Sequence, residues 1–448
     1  MNNLIYFECK QFVQYFENHA PGISDINIRV QMFVLEKIWS ALPLDARCGK
    51  VRHFFGLRPN STAKKNISFL VEKIRNVIMD HQNQGLILKS KITRNCIINF
   101  SQLLTDALRC VEQDCQDLTF QNLFLNGRHQ EIKSITPLGQ ETHNQGKIPL
   151  LITFKNNVKI VYKPRSLASE NIICGLDGIF SKLGFGSYQI LDKGTYGYAA
   201  FISNTGNVLE ETEVDEYTEK LFVIDKLARR IFLSDLHSTN IIVHNKTPYI
   251  IDTEVVMTPK KKFRKDGPQL LDDFPLAGYK SNTYIPDNSC KNIIFIKKSA
   301  SVSFCSLKIR TKKKLNEENS LAIIHSNIQQ KKSQKTSKQQ AVVKQNKKII
   351  DKAIEQLKNH RHRIVLLATD LLMNIITKPV KKGHKIFLDE LSSQSLKDVG
   401  FQWTLSSTKA NIFYGLYKQD ILNNDVPIFY HNPKTSKVFY HKLCIGHF

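Results

Sequence analysis

IFLSDLHSTNIIVHNKTPYIIDTEVV, residues 231–256, is the stretch on which the reading of this chain turns. Asp235 is followed five residues later by Asn240, and twelve residues further on comes Asp252, with Glu254 just beyond. Ile241, Ile242 and Val243 lead away from Asn240, and Tyr249, Ile250 and Ile251 lead into Asp252. Two short apolar runs around Asn-Lys read as a buried β-hairpin with polar groups at its open end. Oxygen donors at this separation suit phosphoryl transfer, which asks a protein mainly to position charge around phosphates and Mg²⁺. Asp235 is then the candidate group for the attacking hydroxyl, with Asn240 and Asp252 for the metal. A hairpin whose Asp and Asn only cap turns would use the same residue types. The recurrence of four acidic or amide groups at one spacing tells against that.

Working outward, 448 residues allow a large core and two or three structural units. Hydrophobic content of 42% and charged content of 23% are those of an ordinary globular protein. The balance of charge is not ordinary: 64 Lys and Arg against 40 Asp and Glu give +24, a surface that attracts acidic partners. No RNA-binding signature or zinc-finger spacing accompanies it, so nucleic acid is an unlikely partner. Nine scattered cysteines without a CxxC pair, and a start (MNNLIYFECK) lacking a secretory signal, predict a reducing, cytoplasmic location. Cys444 and His447 have no second pair with which to make a metal site. The run from Ile364 to Ile376 is too short to cross a bilayer and carries Asp370 and Asn374, so no transmembrane segment is expected.

Residues 1–118 read as a helical region, with amphipathic stretches around Phe12–Phe16, Val30–Leu42, Asn66–Met79 and Asn95–Val111. From Leu118 the period shortens. Leu118–Phe124, Ile148–Phe154 and Val158–Lys163 read as strands, the last two joined by an Asn156-Asn157 turn. Lys163 ends an apolar strand and precedes a predicted helix, Ser166–Leu183, which is where a phosphate-binding lysine stands in kinase-type sites. Glu170, in the first turn of that helix, is placed to pair with it; a helix dipole alone would also account for an acid there. Upstream, Glu141 and His143 lie between Gly139 and Gly146, in a loop whose backbone N–H groups are candidates for covering phosphates.

Taken together, ITPLGQETHNQG (135–146), YKPRSLAS (162–169), GTYGYAAFI (194–202), SDLHSTNIIV with PYIIDTEVV, and ILNNDVPIFYHNP (421–433) resemble the dehydratase domain of class II lanthipeptide synthetases (LanM). The resemblance runs from about residue 120 to the end. It implies an α+β, two-lobed kinase-like core: an N-lobe over 119–203, a C-lobe over 204–448, and the helical region 1–118 before them. It also implies ATP and Mg²⁺ as cofactors and a precursor peptide with Ser or Thr as substrate. Phosphorylation would be followed by elimination to dehydroamino acids. Carried over by position, Lys163 would bind phosphate, Asp235 would activate the peptide hydroxyl, and His237 would share the site. Asn240 and Asp252 would hold Mg²⁺, assisted by Glu254. His143 falls on the family's N-lobe histidine, and Glu141 on its N-lobe aspartate.

Three departures qualify this. The sequence ends at Phe448 without a counterpart of the family's zinc-binding cyclase, so ring closure would fall to a separate cyclase. The family's Arg after its "DIPyF" segment, used in elimination, is replaced by His431 and Asn432; Lys434 and Arg165 are the substitutes at hand, though neither matches it in position. Residues 299–348 form a basic, Gln/Lys/Ser-rich tract that reads as an insertion or linker. Its functional reading is an electrostatic arm for an acidic peptide or a membrane; a plain solvated loop would have the same composition and is the more common case. Helical periodicity returns over Ile349–Thr377 and stops at Lys378-Pro379. The sequence therefore predicts a LanM-like dehydratase. The alternatives are a kinase lacking the elimination step and a catalytically silent kinase-like binding protein.

Overall fold

The computed structural model describes residues 69, 73, 91–139, 141–203, 208–236, 240–245, 247–266, 295–297, 336–376 and 378–448. The amphipathic stretches foreseen before residue 69 therefore lie outside the described residues, as do residues 299–335 of the basic tract. Helix α1 (Lys91–Asp114) follows the predicted period: Ile97, Phe100, Leu104, Leu108 and Val111 are all buried. That stripe covers a five-stranded antiparallel sheet of β1 (Ile132–Pro137), β2 (Leu150–Phe154), β3 (Lys159–Lys163), β4 (Ile190–Asp192) and β5 (Gly197–Ala200), ordered β1-β2-β3-β5-β4. The Asn156-Asn157 turn forms as expected, with Asn157 at φ +66°.

Two stretches of this region depart from the reading above. Leu118–Phe124 is not a strand but helix α2, capped by Asp117, whose side chain accepts from the Thr119 N–H at 2.8 Å. Phe120 and Phe124, four apart, are its buried pair and pack on Tyr198; the β-favouring residue types obscured a helical period and an N-cap. The predicted helix 166–183 is two, α3 (Ala168–Cys174) and α4 (Ile179–Lys182). Gly175 parts them where a Cβ would lie 2.5 Å from the Asn171 carbonyl.

Next in the chain come β6 (Val208–Glu210), helix α5 (Glu211–Ile231) and the hairpin β7 (Ile241–His244) and β8 (Thr247–Ile250). The hairpin forms as expected, with Ile241 opposite Ile250. Helix α6 (Lys260–Asp266) follows, and β9 (Phe295–Lys297) pairs in parallel with β6. A core formed by α3, α5, the hairpin and α8 (Lys347–Leu357) fixes the hairpin against the end of the first sheet. The basic tract is not structureless throughout. Thr336–Gln345 is helix α7, and its Val343 packs on that core. Nor is 349–377 one helix: after α8 the chain forms β10 (His362–Ile364) and then α9 (Thr369–Ile376). Pairing of β10 with the strand Phe429–His431 overrides local helical preference there, as tertiary context often does.

The last unit holds α10 (Val380–Leu391), α11 (Gln394–Asp398), β11 (Gln402–Trp403), α12 (Ser407–Asn423), β12 (Phe429–His431), β13 (Lys437–Tyr440) and β14 (Leu443–His447). Its sheet is antiparallel, ordered β10-β12-β13-β14-β11, around an aromatic core that includes Phe387, Phe413, Tyr417 and Tyr440. Among the described residues no helix is long and apolar enough to cross a membrane.

Candidate active site

Strand β3 ends on Lys163, only 6% exposed, and the first turn of α3 brings Glu170 beneath it. Lys163 Nζ donates to both Glu170 oxygens, at 2.7 and 3.0 Å, and Tyr188 donates to Oε1 at 3.0 Å. The pairing foreseen from spacing is thus made. An exposed glutamate serving a helix dipole does not describe Glu170, whose side chain is 1% exposed. A buried carboxylate is tolerable because it is paired and hydrogen-bonded on several sides.

The hairpin delivers the second half of the cluster. Asp252 Oδ1 lies 3.6 Å from Lys163 Nζ and 2.6 Å from Arg165 Nη2. Arg165 also reaches Glu170 at 3.3 Å and, through Nε, Glu254 at 3.0 Å. Arg363, from β10, closes the far side: its Nη1 is 2.7 Å from Glu254 Oε1, and its backbone N–H donates to the Glu254 carbonyl. Three cations therefore face three carboxylates. Burial alone would push Asp252 up, but Lys163, Arg165 and Arg363 together hold it well below the usual carboxylate range. Glu254 is likewise penalised by burial, and is held low by Arg165 and Arg363. Asp252 keeps 38% of its side chain in solvent, so the cluster has an open mouth at this residue.

Asp235 and Asp252 both adopt left-handed backbone, at φ +64° and +60°. For a residue with a Cβ that conformation costs on the order of 1 kcal/mol, and it recurs where a side chain must be aimed. Asn240 Nδ2 donates to the Asp235 carbonyl at 2.9 Å, and the Asn240 carbonyl accepts from Ile251, one residue before Asp252. Both ends of the 235–252 segment are thereby tied together. Asp235 is also within electrostatic range of Arg363.

Residues 89–322, more than half the chain, match the family described as a domain of unknown function, DUF4135. The chain belongs to the DUF4135 family. It is also similar to the lacticin 481/lactococcin biosynthesis protein LcnDR2 of Lactococcus lactis subsp. lactis, at 28% identity over 176 residues. That alignment takes in 36% of this chain and 18% of the relative, so the chain spans less than a fifth of that protein's length.

The DUF4135 match contains every one of these cluster residues except Arg363. Of the other sequence candidates, His143 lies close by: its Nδ1 bonds to the Val426 carbonyl at 2.8 Å, and it is in electrostatic range of Arg363 and Glu254. Burial pushes its pKa down to about 4, so the ring is neutral at pH 7. Glu141 is exposed and acts electrostatically on Lys73. His237 lies outside the described residues. The loop expected to offer N–H groups to phosphates is already occupied: Gln145 and Gly146 donate to the buried Asp425 carboxylate, and Thr142 donates to it at 2.6 Å. Among the described residues no three His, Cys, Asp or Glu side chains converge as a metal site. Lys434 is exposed on the 432–436 turn. Arg363 and Tyr188 were missed by sequence reasoning. Arg363 stands 109 residues from its carboxylate partner, and no local pattern marks it.

Proposed function

We propose that this DUF4135 chain is a LanM-like dehydratase with a two-lobed kinase-like core, phosphorylating Ser or Thr of a precursor peptide and then eliminating the phosphate. The observation that carries the reading is the half-open cluster of Lys163, Arg165, Asp252 and Glu254 at the end of β3, in which the cations hold both carboxylates low. The similarity to LcnDR2, a lacticin 481/lactococcin biosynthesis protein, points the same way.

The donor set fits ATP and Mg²⁺ by its chemistry. Carboxylate and amide oxygens are hard ligands of the kind Mg²⁺ takes, and an ammonium beside a guanidinium suits phosphate oxygens. Asp252 and Asn240 would hold the metal, with Glu254 assisting. When bound, the metal nucleotide supplies the phosphoryl group and neutralises charge on it. Lys163, fixed by Glu170, holds the phosphates. Arg165, paired here with Asp252 and Glu254, stands where its guanidinium would also meet those phosphates. Asp235, aimed by its left-handed backbone and the Asn240 bond, receives the proton of the peptide hydroxyl. His143, neutral and fixed through Nδ1, orients groups at the Arg363 side.

A kinase-only reading rests on one observation: His431, at the position where the family places its arginine, is bonded to the Met257 backbone. Arg363 on the strand beside it puts a guanidinium in the cluster all the same. Mass spectrometry after incubation with Mg-ATP and a Ser/Thr-rich peptide distinguishes the readings. Loss of one water per residue is expected; a persistent phosphoryl adduct leaves a kinase. No mass change with any lanthipeptide precursor, together with no Mg-ATP binding, overturns both.

A further inference from the structure

A pocket of about 1050 Å³ lies behind the cluster, between the chain that follows Glu254 and the free edge of the second sheet. Its floor is aromatic: Phe232, Trp403 and Phe448 line it, all partly open to solvent. Its rim carries the exposed lysines Lys260, Lys261 and Lys397, and neither an acidic side chain nor an arginine is among the lining residues. Strand β11, which contributes Gln402 and Trp403, is the edge of its sheet, and no described strand pairs with its outer side.

His431 also lines the pocket. It is 5% exposed and its Nδ1 has no hydrogen-bond partner, while its ring is held by the Met257 backbone and packs edge-on against Phe448 at 5.9 Å. With burial pushing it down to about 4 the imidazole is neutral, so donation to the Met257 carbonyl leaves Nδ1 as an acceptor. A buried acceptor calls for a donor. The phosphate groups by which a nucleic acid is mostly held offer none, whereas a peptide backbone offers an N–H at every residue but proline. Nucleic acid would also be better served by guanidinium forks than by ammonium groups.

We propose that this pocket docks an acidic, apolar-alternating segment of the peptide substrate. Carboxylates meet Lys260, Lys261 and Lys397, apolar side chains enter the aromatic floor, and backbone runs along the open edge of β11. Tyr430 and His431 are neighbours on β12, so their side chains face opposite sides of the strand. Tyr430 accepts from Asn144 on the cluster side and His431 lines the groove, so a docked segment lies one strand away from the reacting hydroxyl. The inference rests on the proposed function for what the docked chain belongs to, but docking itself needs no nucleotide.

The chain has two tryptophans, Trp39 and Trp403, so a Trp39→Phe protein reports on the groove through its remaining indole. The probe is a short synthetic peptide of alternating leucine and glutamate bearing fluorescein, titrated without ATP. Emission from Trp403 should shift and the label's anisotropy should rise together. The double variant Lys260→Glu/Lys261→Glu, at exposed positions, should weaken binding by about tenfold or more, with its circular dichroism unchanged. A leucine–lysine counterpart should not bind. Equal binding of a single-stranded oligonucleotide at the same site, no response of Trp403, or unchanged affinity in the double variant would overturn the docking proposal. Docking without any phosphorylation of peptides would keep the groove and remove the enzymatic reading; phosphorylation with no docking would do the reverse.

Discussion

Two acidic sites of this protein, one half-open and one sealed, have opposite characters. Asp252 and Glu254 sit among Lys163, Arg165 and Arg363, and the surrounding charge holds them below the usual carboxylate range despite their burial. Asp425, 0% exposed, is sewn to the 142–146 loop by the Thr142 hydroxyl and two backbone N–H groups, and burial still pushes its pKa up. The first set is held by ion pairs with side-chain cations, which can be transferred to another anion. The second is bound by short directional bonds to backbone, which cannot be remade elsewhere. A site that must exchange partners during a reaction belongs to the first kind, and a fastening between distant segments to the second.

Substitution should separate the two. Asp252→Ala is expected to lower Mg-ATP-dependent phosphorylation of a Ser/Thr peptide by about 10²–10³-fold, the usual scale for losing a preorganised electrostatic group. Its melting temperature should change little, since a partly exposed carboxylate contributes weakly through screened pairs. A variant that unfolds before it loses turnover would make the cluster structural. Asp425→Ala should act the other way. It strands two N–H groups and a hydroxyl in a buried setting, and about 2–4 kcal/mol should be lost in urea unfolding. Third, Arg363→Lys keeps the charge beside Glu254 but loses the fork; a drop of about tenfold in turnover, at unchanged fold, is expected. Full activity in that variant would leave Arg165 as the working guanidinium.

The same contrast explains what could be read in advance. The positions of Lys163, Asn240 and Asp252 were legible because strand and hairpin periods fix where a polar residue emerges, and the Lys163–Glu170 pair because a helix was expected to follow the strand. Arg363 was not, because it arrives from a segment whose local pattern favours helix and whose strand exists only through pairing with Phe429 and His431. Asp425 was seen as part of a motif, yet its role was invisible. Its partners lie about 280 positions away, and no periodicity connects an aspartate to two specific N–H groups. Likewise Leu118–Phe124 hid a helix behind strand-favouring residues, until the contacts of Phe120 and Phe124 with Tyr198 decided its period. Local order was readable; long-range polar pairing was not.

The finest test of the contrast is pH. Asp252 and Glu254 have depressed pKa values in the folded state, so their stabilisation is present above the ordinary carboxylate range and is lost as pH falls through and below it. Asp425 is shifted in the opposite direction. As pH rises past the ordinary aspartate value, its unfolded form ionises first. That draws the equilibrium toward unfolding until the folded group ionises too. Asp425→Asn removes this penalty while keeping an oxygen for Thr142 or a loop N–H, so its net cost at pH 7 should stay within about 1 kcal/mol. Its stability relative to the unsubstituted protein should improve from acid to neutral pH, whereas a variant of the cluster should fare relatively worse over the same range. Parallel urea-unfolding curves for the two, measured across that range, would show that one electrostatic environment governs both sites. Curves of opposite slope would mean that the carboxylates around Lys163 are held by charge and the one beneath Thr142 by geometry.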